Sequence, residues 1–305
     1  MREIAVSTES LGKRFGARWA IRVLDLKISK GCVYGLLGRN GAGKSTTLDL
    51  LAGLSKPTEG DALIFGHSSA TDRGAIAQEI AYVDQAKILY GYMTVGQMME
   101  FARALAPLWS ETLAAKHIRL PKESRIRNLS KGQRVQLAFG LAAARRPRLL
   151  LIDEPTANLD PVAVQRVLRG LIEDCVAEGA TVLIASHELE EVAQVCDRVG
   201  LLHDGHLGHE VSLEDLEMNY RVITAFHENP RAVDIPGIVS VRWVNGTSRY
   251  LVRERAADIS AELAAGGARI LDVQPATLRT LYLEFLDDTC DSDEVMTTTA
   301  LEGRF

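Results

Sequence analysis

The sequence predicts an α/β fold built around a phosphate-binding loop and followed by a small α+β domain, and three observations carry that expectation. The glycine-rich run GRNGAGKST, residues 38–46, directly follows the short apolar run CVYGLL. Continuous apolar runs return at LLLID (149–153), TVLIAS (181–186) and RVGLL (198–202), separated by helical stretches, which is how parallel strands buried on both faces read. Past Gly208 the texture changes to turn-rich, alternating segments, so a boundary is expected near residue 210.

Taken in chain order, RWAIRVLDLKI (18–28) alternates well enough for strands that lead to a turn at Lys30–Gly31, after which CVYGLL is a buried strand. An apolar helix follows the glycine-rich loop. Thr94 is placed to cap a helix through about Leu105 and Ser110 another from Glu111, so residues 86–146 read as a mainly helical subdomain. The five residues LSKGQ (129–133) open a further helix, where Ser130 and Gln133 have the spacing of a capping box. In the smaller domain, 211–286, the turn Asn245–Gly246 between IVSVRWV and TSRYLVR predicts a hairpin, followed by a helix near 256–265, a strand near 269–273 and a helix from Thr277 to Leu286. Residues 287–305 read as a loose acidic, Thr-rich tail.

Composition excludes several classes of function. A net charge of −5, with both signs interspersed over most of the 305 residues, leaves no stripe that makes nucleic acid an expected partner. Cys32, Cys175, Cys196 and Cys290 are scattered without metal-ligand spacing and read as reduced packing thiols of a cytosolic protein. The start, MREIAVSTES, lacks the apolar core of a secretion signal. No stretch approaches the roughly 18 uninterrupted apolar residues that a spanning helix needs, so any membrane role is expected to run through a partner.

The chemistry concentrates in two places. In G-x-x-x-x-G-K-[ST] after a strand and before a helix, Gly38, Gly41 and Gly43 let the backbone bend so that N–H groups converge on phosphate oxygens. Asn40 and Ala42 lie between them in the same cradle, and the helix from Lys44 presents its positive end. Lys44 adds a point charge, the Ser45 hydroxyl suits Mg²⁺, and Thr46 completes the loop. LLLIDEP then ends an apolar strand in two carboxylates. Asp153 is expected to reach a metal directly or through water, and Glu154 to polarise an attacking water as general base.

The order of these motifs resembles one family, the ATP-binding subunits of ABC transporters, over roughly residues 1–210. LSKGQ resembles the family's signature LSGGQ, ANLD (157–160) its D-loop and SHELEE (186–191) its H-switch. The resemblance implies a P-loop NTPase with a mixed core sheet plus helical subdomain, with ATP and Mg²⁺ as cofactors. It implies that Phe15 stacks on adenine, that Gln85 senses metal and water, and that His187 contacts the γ-phosphate and holds Glu154 and water in line. Ser130, Gly132 and Gln133 would bind ATP held by a second nucleotide-binding subunit, homodimer or heterodimer, with Asp160 acting across that interface. Lys131 departs from the family's usual glycine, and the stretch SETLAAKHIRLPKESRIRN is compact for its helical subdomain.

The implied function is ATP hydrolysis driving translocation through a separate membrane-spanning subunit, from the cytoplasmic face of the cell membrane. Export is the expected direction, because VQPATLRTLYLEFL (273–286) resembles the endings of bacterial exporter subunits. An importer ATPase and a soluble ATPase that remodels a macromolecular complex are the alternatives. A catalytically silent regulator would be expected to have lost Glu154, His187 or the signature, and all are present.

Overall fold

In the computed structural model, which describes residues 3–86, 89–155, 161–227, 235–244 and 246–286, the chain forms two compact units, Met1–Glu210 and Val211–Phe305. The first begins with strands β1 (Ile4–Phe15), β2 (Arg18–Leu24), β3 (Lys27–Ser29) and β4 (Val33–Leu37), helix α1 (Lys44–Leu51), β5 (Glu59–Ile64), β6 (His67–Ser68), α2 (Arg73–Glu79) and β7 (Ile80–Val83). Helices α3 (Val95–Ala104), α4 (Glu111–His117) and α5 (Lys131–Ala144) come next. β8 (Leu149–Asp153), α6 (Pro161–Ala177), β9 (Thr181–Ser186), α7 (Leu189–Val195), β10 (Arg198–His203) and β11 (His206–Ser212) follow.

Two sheets share one core. The larger runs in the order β11-β10-β4-β9-β8-β7, and the pairs β10–β4, β4–β9, β9–β8 and β8–β7 are parallel. Every residue of β4, β8 and β9 is buried, which is why these strands read as unbroken apolar runs rather than alternations. The smaller, antiparallel sheet runs β2-β1-β5-β6 with β3 on β1, and its Val6, Leu11, Ile21 and Ile64 join Leu36, Leu149 and Leu183 in a single hydrophobic cluster that includes Leu48 and Leu51 of α1. The phosphate-loop helix is therefore held between both sheets.

The helical subdomain has its own cluster: Val95, Met98 and Ala102 of α3, Ala114 of α4, and Leu137, Leu141 and Ala144 of α5. The capping signals read from the sequence are formed. Thr94 Oγ1 accepts from Gln97 N at 3.2 Å while Gln97 Oε1 accepts from Thr94 N at 2.9 Å, and Ser110 Oγ accepts from Leu113 N at 3.2 Å. The long strand β1, which the pattern reading passed over, is broken by register shifts at Leu11/Lys13 and Lys13/Arg14 against β2 and at Glu9/Gly12 against β5. Such bulges interrupt the period of two on which strand recognition depends.

The second unit holds α8 (Leu213–Asn219), β12 (Tyr220–Phe226), β13 (Ile238–Val244), β14 (Thr247–Arg253), α9 (Ala256–Ala265), β15 (Arg269–Pro275) and α10 (Leu278–Leu286). Its sheet runs β13-β14-β12-β15, and β13 and β14 pair antiparallel as the hairpin expectation required. Ile223, Tyr250, Val252, Ile259 and Leu263 form its core. The expected tail, with Cys290, lies outside the described residues. Among the described residues no helix is long and apolar enough to cross a membrane.

Candidate active site

The glycine-rich loop is shaped by contacts that forbid side chains. Gly43 sits at φ 110°, and a Cβ there would come within 2.5 Å of the Ala20 carbonyl oxygen. At Gly38 a Cβ would come within 2.4 Å of the Leu202 carbonyl oxygen. The loop thus presses against the backbone behind it, and Gly205 N donates to Ala42 O at 3.0 Å to hold it there. Asn40 and Gly41 are exposed and Ala42 is buried. α1 starts at Lys44, so the N–H groups of Lys44, Ser45 and Thr46 have no acceptor within the helix and mark its positive end.

Lys44 folds back over this loop. Its Nζ donates to Gly38 O at 2.8 Å and Arg39 O at 3.3 Å, and pairs with Glu154 Oε1 at 3.1 Å. Both charged side chains are almost fully enclosed, at 5 % and 7 % exposure, so removing either partner would leave the other's charge less compensated away from water. The second oxygen of Glu154 lies 2.6 Å from His187 Nδ1. His187 stands just past β9, is 38 % exposed, and reaches Glu188 Oε1 with Nε2 at 3.3 Å. Glu154 therefore bridges a buried lysine and a half-buried histidine.

Glu154 also adopts φ 44°, a left-handed conformation that a side-chain-bearing residue takes only when its surroundings enforce it. Glu154 N donates to Ala185 O at 2.9 Å, which continues the β8–β9 ladder through Asp153 and Ala185. At this turn out of the strand the carboxylate meets Lys44 and His187.

Asp153 is 3 % exposed, and its Oδ1 has no hydrogen-bond partner. Burial, with added repulsion from Glu154 and Asp49, holds its carboxyl above the ordinary 3.8, against the opposing hydrogen bond of Ser45 and the charge of Lys44. Ser45 is exposed. A buried carboxylate oxygen without a donor, beside an exposed hydroxyl, is a donor set suited to a hard cation.

The structure thus gathers Lys44, Ser45, Asp153, Glu154 and His187 into one group. Phe15 ends β1 with 57 % of its surface exposed, its ring approached at 5.0 Å by Lys13 Nζ, while Trp19 is half-buried under Arg14. Gln85 lies just past β7 and is exposed. Ser130, Gly132 and Gln133 are exposed in the first turn of α5, where Ser130 Oγ accepts from Gln133 N at 3.2 Å and Gln133 Oε1 from Ser130 N at 2.9 Å. They belong to the helical subdomain rather than to the Lys44–Glu154–His187 group. Asp160 lies outside the described residues.

Pattern reading missed one support of the site. Ser186 Oγ donates to buried Glu191 Oε2 at 2.6 Å and accepts from Glu188 N at 3.0 Å, which fixes the backbone on both sides of His187. The apolar–polar boundary within SHELEE carries Glu191, yet a carboxylate in a helical run reads as solvated until packing shows it buried.

The model of the ABC transporter family matches residues 21–157. The bacitracin transport ATP-binding protein BcrA of Enterococcus faecalis is 31% identical over 229 residues, which span 73% of this chain and 74% of that one. The chain belongs to the ABC transporter family. Among solved structures of ABC cassettes, an ATP-binding subunit of an ABC transporter matches with a TM-score of 0.63 at 26% identity, over 70% of this chain and 92% of that one. The ATP-binding cassette MJ0796, solved as a dimer in a post-hydrolysis state bound to ADP and Pi, matches with a TM-score of 0.60 at 25% identity, over 68% of this chain and 98% of that one. The protein is an ABC ATP-binding subunit.

Proposed function

We propose that this ABC subunit hydrolyses Mg²⁺-ATP with Glu154 as the base for the attacking water. We further propose that it works as one of a pair of such subunits, homodimer or heterodimer, and drives export through a separate membrane-spanning subunit from the cytoplasmic face of the membrane. The observation that carries the hydrolytic reading is the enclosed Glu154, held 3.1 Å from Lys44 and 2.6 Å from His187 by a strained backbone. The dimer is supported by the likeness to a dimeric cassette. Transport is supported by the similarity to a bacitracin transport ATP-binding protein, and export by the resemblance of residues 273–286 to exporter endings.

Each residue then has a task. The N–H groups of the Gly38–Thr46 loop and α1 receive the phosphates, and Phe15 offers an exposed ring to the base, a contact worth about 1–3 kcal/mol where such stacking is measured. Mg²⁺ fits Ser45 and Asp153: the orphaned Oδ1 supplies an acceptor, and no group of three acid, histidine or cysteine ligands exists among the described residues, in keeping with an ion that retains water and leans on phosphate oxygens. When bound it neutralises charge on those oxygens. Gln85 is assigned to the metal and water. A phosphate oxygen competes with Glu154 for Lys44, so nucleotide entry draws the ammonium off Oε1. Glu154, still hydrogen-bonded to His187, is then free to accept a proton from water. Ser130, Gly132 and Gln133 complete the site of the second subunit, and Asp160 is assigned to the interface.

The test combines Glu154→Gln with purification from membranes. The variant should retain ATP binding, lose turnover by about 10²–10⁴-fold, and co-purify with a polytopic membrane protein in ATP. Undiminished turnover would remove Glu154 as base. Recovery only of ribosomes or assembly factors would replace the transporter reading with a soluble remodelling ATPase.

A further inference from the structure

The face of the larger sheet that meets α1 carries more acid than a phosphate site calls for. β7 and β8 are parallel, with Tyr82 level with Leu151 and Val83 with Ile152. One step further along the two strands come Asp84 and Asp153. Level residues of paired strands share a face and alternate residues return to it, so Tyr82, Asp84, Leu151 and Asp153 lie on one side of the sheet. That side is the one against the helix: Leu151 belongs to the cluster that holds Leu48 and Leu51 of α1, and Tyr82 packs against the same cluster.

The helix supplies a third carboxylate. Asp49 stands one turn after Ser45 on the same face of α1. Tyr82 Oη donates to Asp49 Oδ1 at 3.2 Å and so ties helix to sheet. Burial and the charges of Asp49, Asp153 and Asp84 push the Tyr82 hydroxyl above its ordinary 10, so it remains a donor at neutral pH. Asp49 is half-buried, and burial holds its carboxyl above the ordinary 3.8 against the Tyr82 hydrogen bond, with Asp84 adding repulsion. Asp49 in turn repels Asp153, whose Oδ1 is enclosed without a hydrogen-bond partner. Among the described residues no basic side chain pairs with Asp49, and Lys44, which acts on Asp153, is engaged by Glu154.

We propose that Asp49, fixed by Tyr82, is a specificity-determining residue of the nucleotide site, whose charge favours the metal-loaded nucleotide and rejects the metal-free one. This rests on the proposed role of Ser45 and Asp153 toward Mg²⁺. A metal-free triphosphate brings further negative charge towards Asp49, Asp84 and Asp153, and repulsion opposes its entry. A divalent cation at Ser45 and Asp153 reverses the sign of that interaction, because the same carboxylates then attract the complex. Asp49 acts through space, from a half-buried position where salt and water screen it less than they screen a surface charge. Tyr82 is the positioning residue: its hydrogen bond keeps the carboxylate on the sheet side of α1.

The experiment measures binding of a fluorescent, non-hydrolysable ATP analogue to the full-length protein, in EDTA and in Mg²⁺. Asp49→Asn keeps the side chain's shape and an acceptor for Tyr82. It should tighten metal-free binding and weaken Mg²⁺-loaded binding, lowering the ratio of metal-free to Mg²⁺-loaded dissociation constants about tenfold, the scale of one partly buried charge. Asp49→Glu should keep the ratio near that of the wild type, and Tyr82→Phe should lower it by a smaller factor. If Asp49→Asn weakens both forms alike or leaves the ratio unchanged, the residue only braces helix to sheet and the proposal falls. Should that variant fail to fold, an unchanged ratio in Tyr82→Phe decides against the proposal. Asp153→Asn separates it from the metal reading beneath it. A wild-type ratio in Asp153→Asn removes Asp153 from the metal and takes the proposal with it, whereas a collapsed ratio there beside an unaltered one in Asp49→Asn sinks the proposal alone.

Discussion

At the scale of residues, the site is an electrostatic balance that two substitutions expose. Removing the lysine in Lys44→Ala takes the ammonium from the Glu154 carboxylate, 7 % exposed, while His187 stays on its second oxygen, so the nucleotide-free protein should lose about 1–3 kcal/mol in urea unfolding. The double variant Lys44→Ala/Glu154→Gln should recover much of that loss, because no buried charge then lacks a partner; equal stability of Lys44→Ala and wild type would show that the pair is not formed. Asp153 behaves in the opposite sense. Burial holds its carboxyl above 3.8, so the folded protein keeps its proton more tightly than the unfolded chain. Its contribution to stability is present below 3.8 and is lost as pH rises through the folded value. Asp153→Asn should therefore flatten that fall, measured by urea midpoints from pH 4 to 7 without nucleotide, while abolishing Mg²⁺-dependent binding. Asp153, Glu154, Lys44 and His187 were all legible as motif residues. The left-handed backbone of Glu154 and the Ser186–Glu191 bond were not, since neither strain nor burial of a carboxylate leaves a mark in residue spacing.

At the scale of elements, α5 combines a cap with a proposed binding surface, and the two separate experimentally. Ser130→Ala removes the acceptor for Gln133 N and should cost about 1 kcal/mol of stability. Ser130→Asp restores an N-cap acceptor while placing negative charge where a phosphate is proposed to sit. It should melt like the wild type yet prevent ATP-dependent dimerisation in the Glu154→Gln background, read by size-exclusion chromatography. Dimerisation at wild-type levels would remove the signature from the ATP interface. The capping boxes at Thr94 and Ser130 were readable because they are local hydrogen-bond patterns with fixed spacing. β1 escaped because its bulges break the alternation, and β5 and β12 are short strands without a turn signal as sharp as Asn245–Gly246.

At the scale of the whole molecule, the two units carry different chemistry and should respond differently to acid. In the second unit His227 is buried, with Nε2 2.9 Å from Tyr250 Oη and its ring 5.2 Å from that of Trp243, and burial lowers it from 6.5. The unfolded chain takes up this proton more readily, so the contribution is full above 6.5 and falls as pH drops towards the folded value. Calorimetry should show the second unit losing stability between pH 7.5 and 5.5, and His227→Gln should lessen that loss. The buried thiols add no such sensitivity near neutrality: burial pushes Cys175 up to about 12, and Cys196 is also raised well above its ordinary value, as befits packing residues. By itself the sequence determined the phosphate loop, the acid-terminated strand, the caps and the family, because each is written in contiguous residues whose types and spacing are dictated by local geometry. Only tertiary structure decided that Glu154 is clamped between Lys44 and His187, that Asp153 keeps an unpartnered oxygen, and that Ser186 ties down a buried Glu191 beside the site. Those facts depend on which distant segments the core brings together, and burial and pairing are properties of neighbours in space, not in sequence.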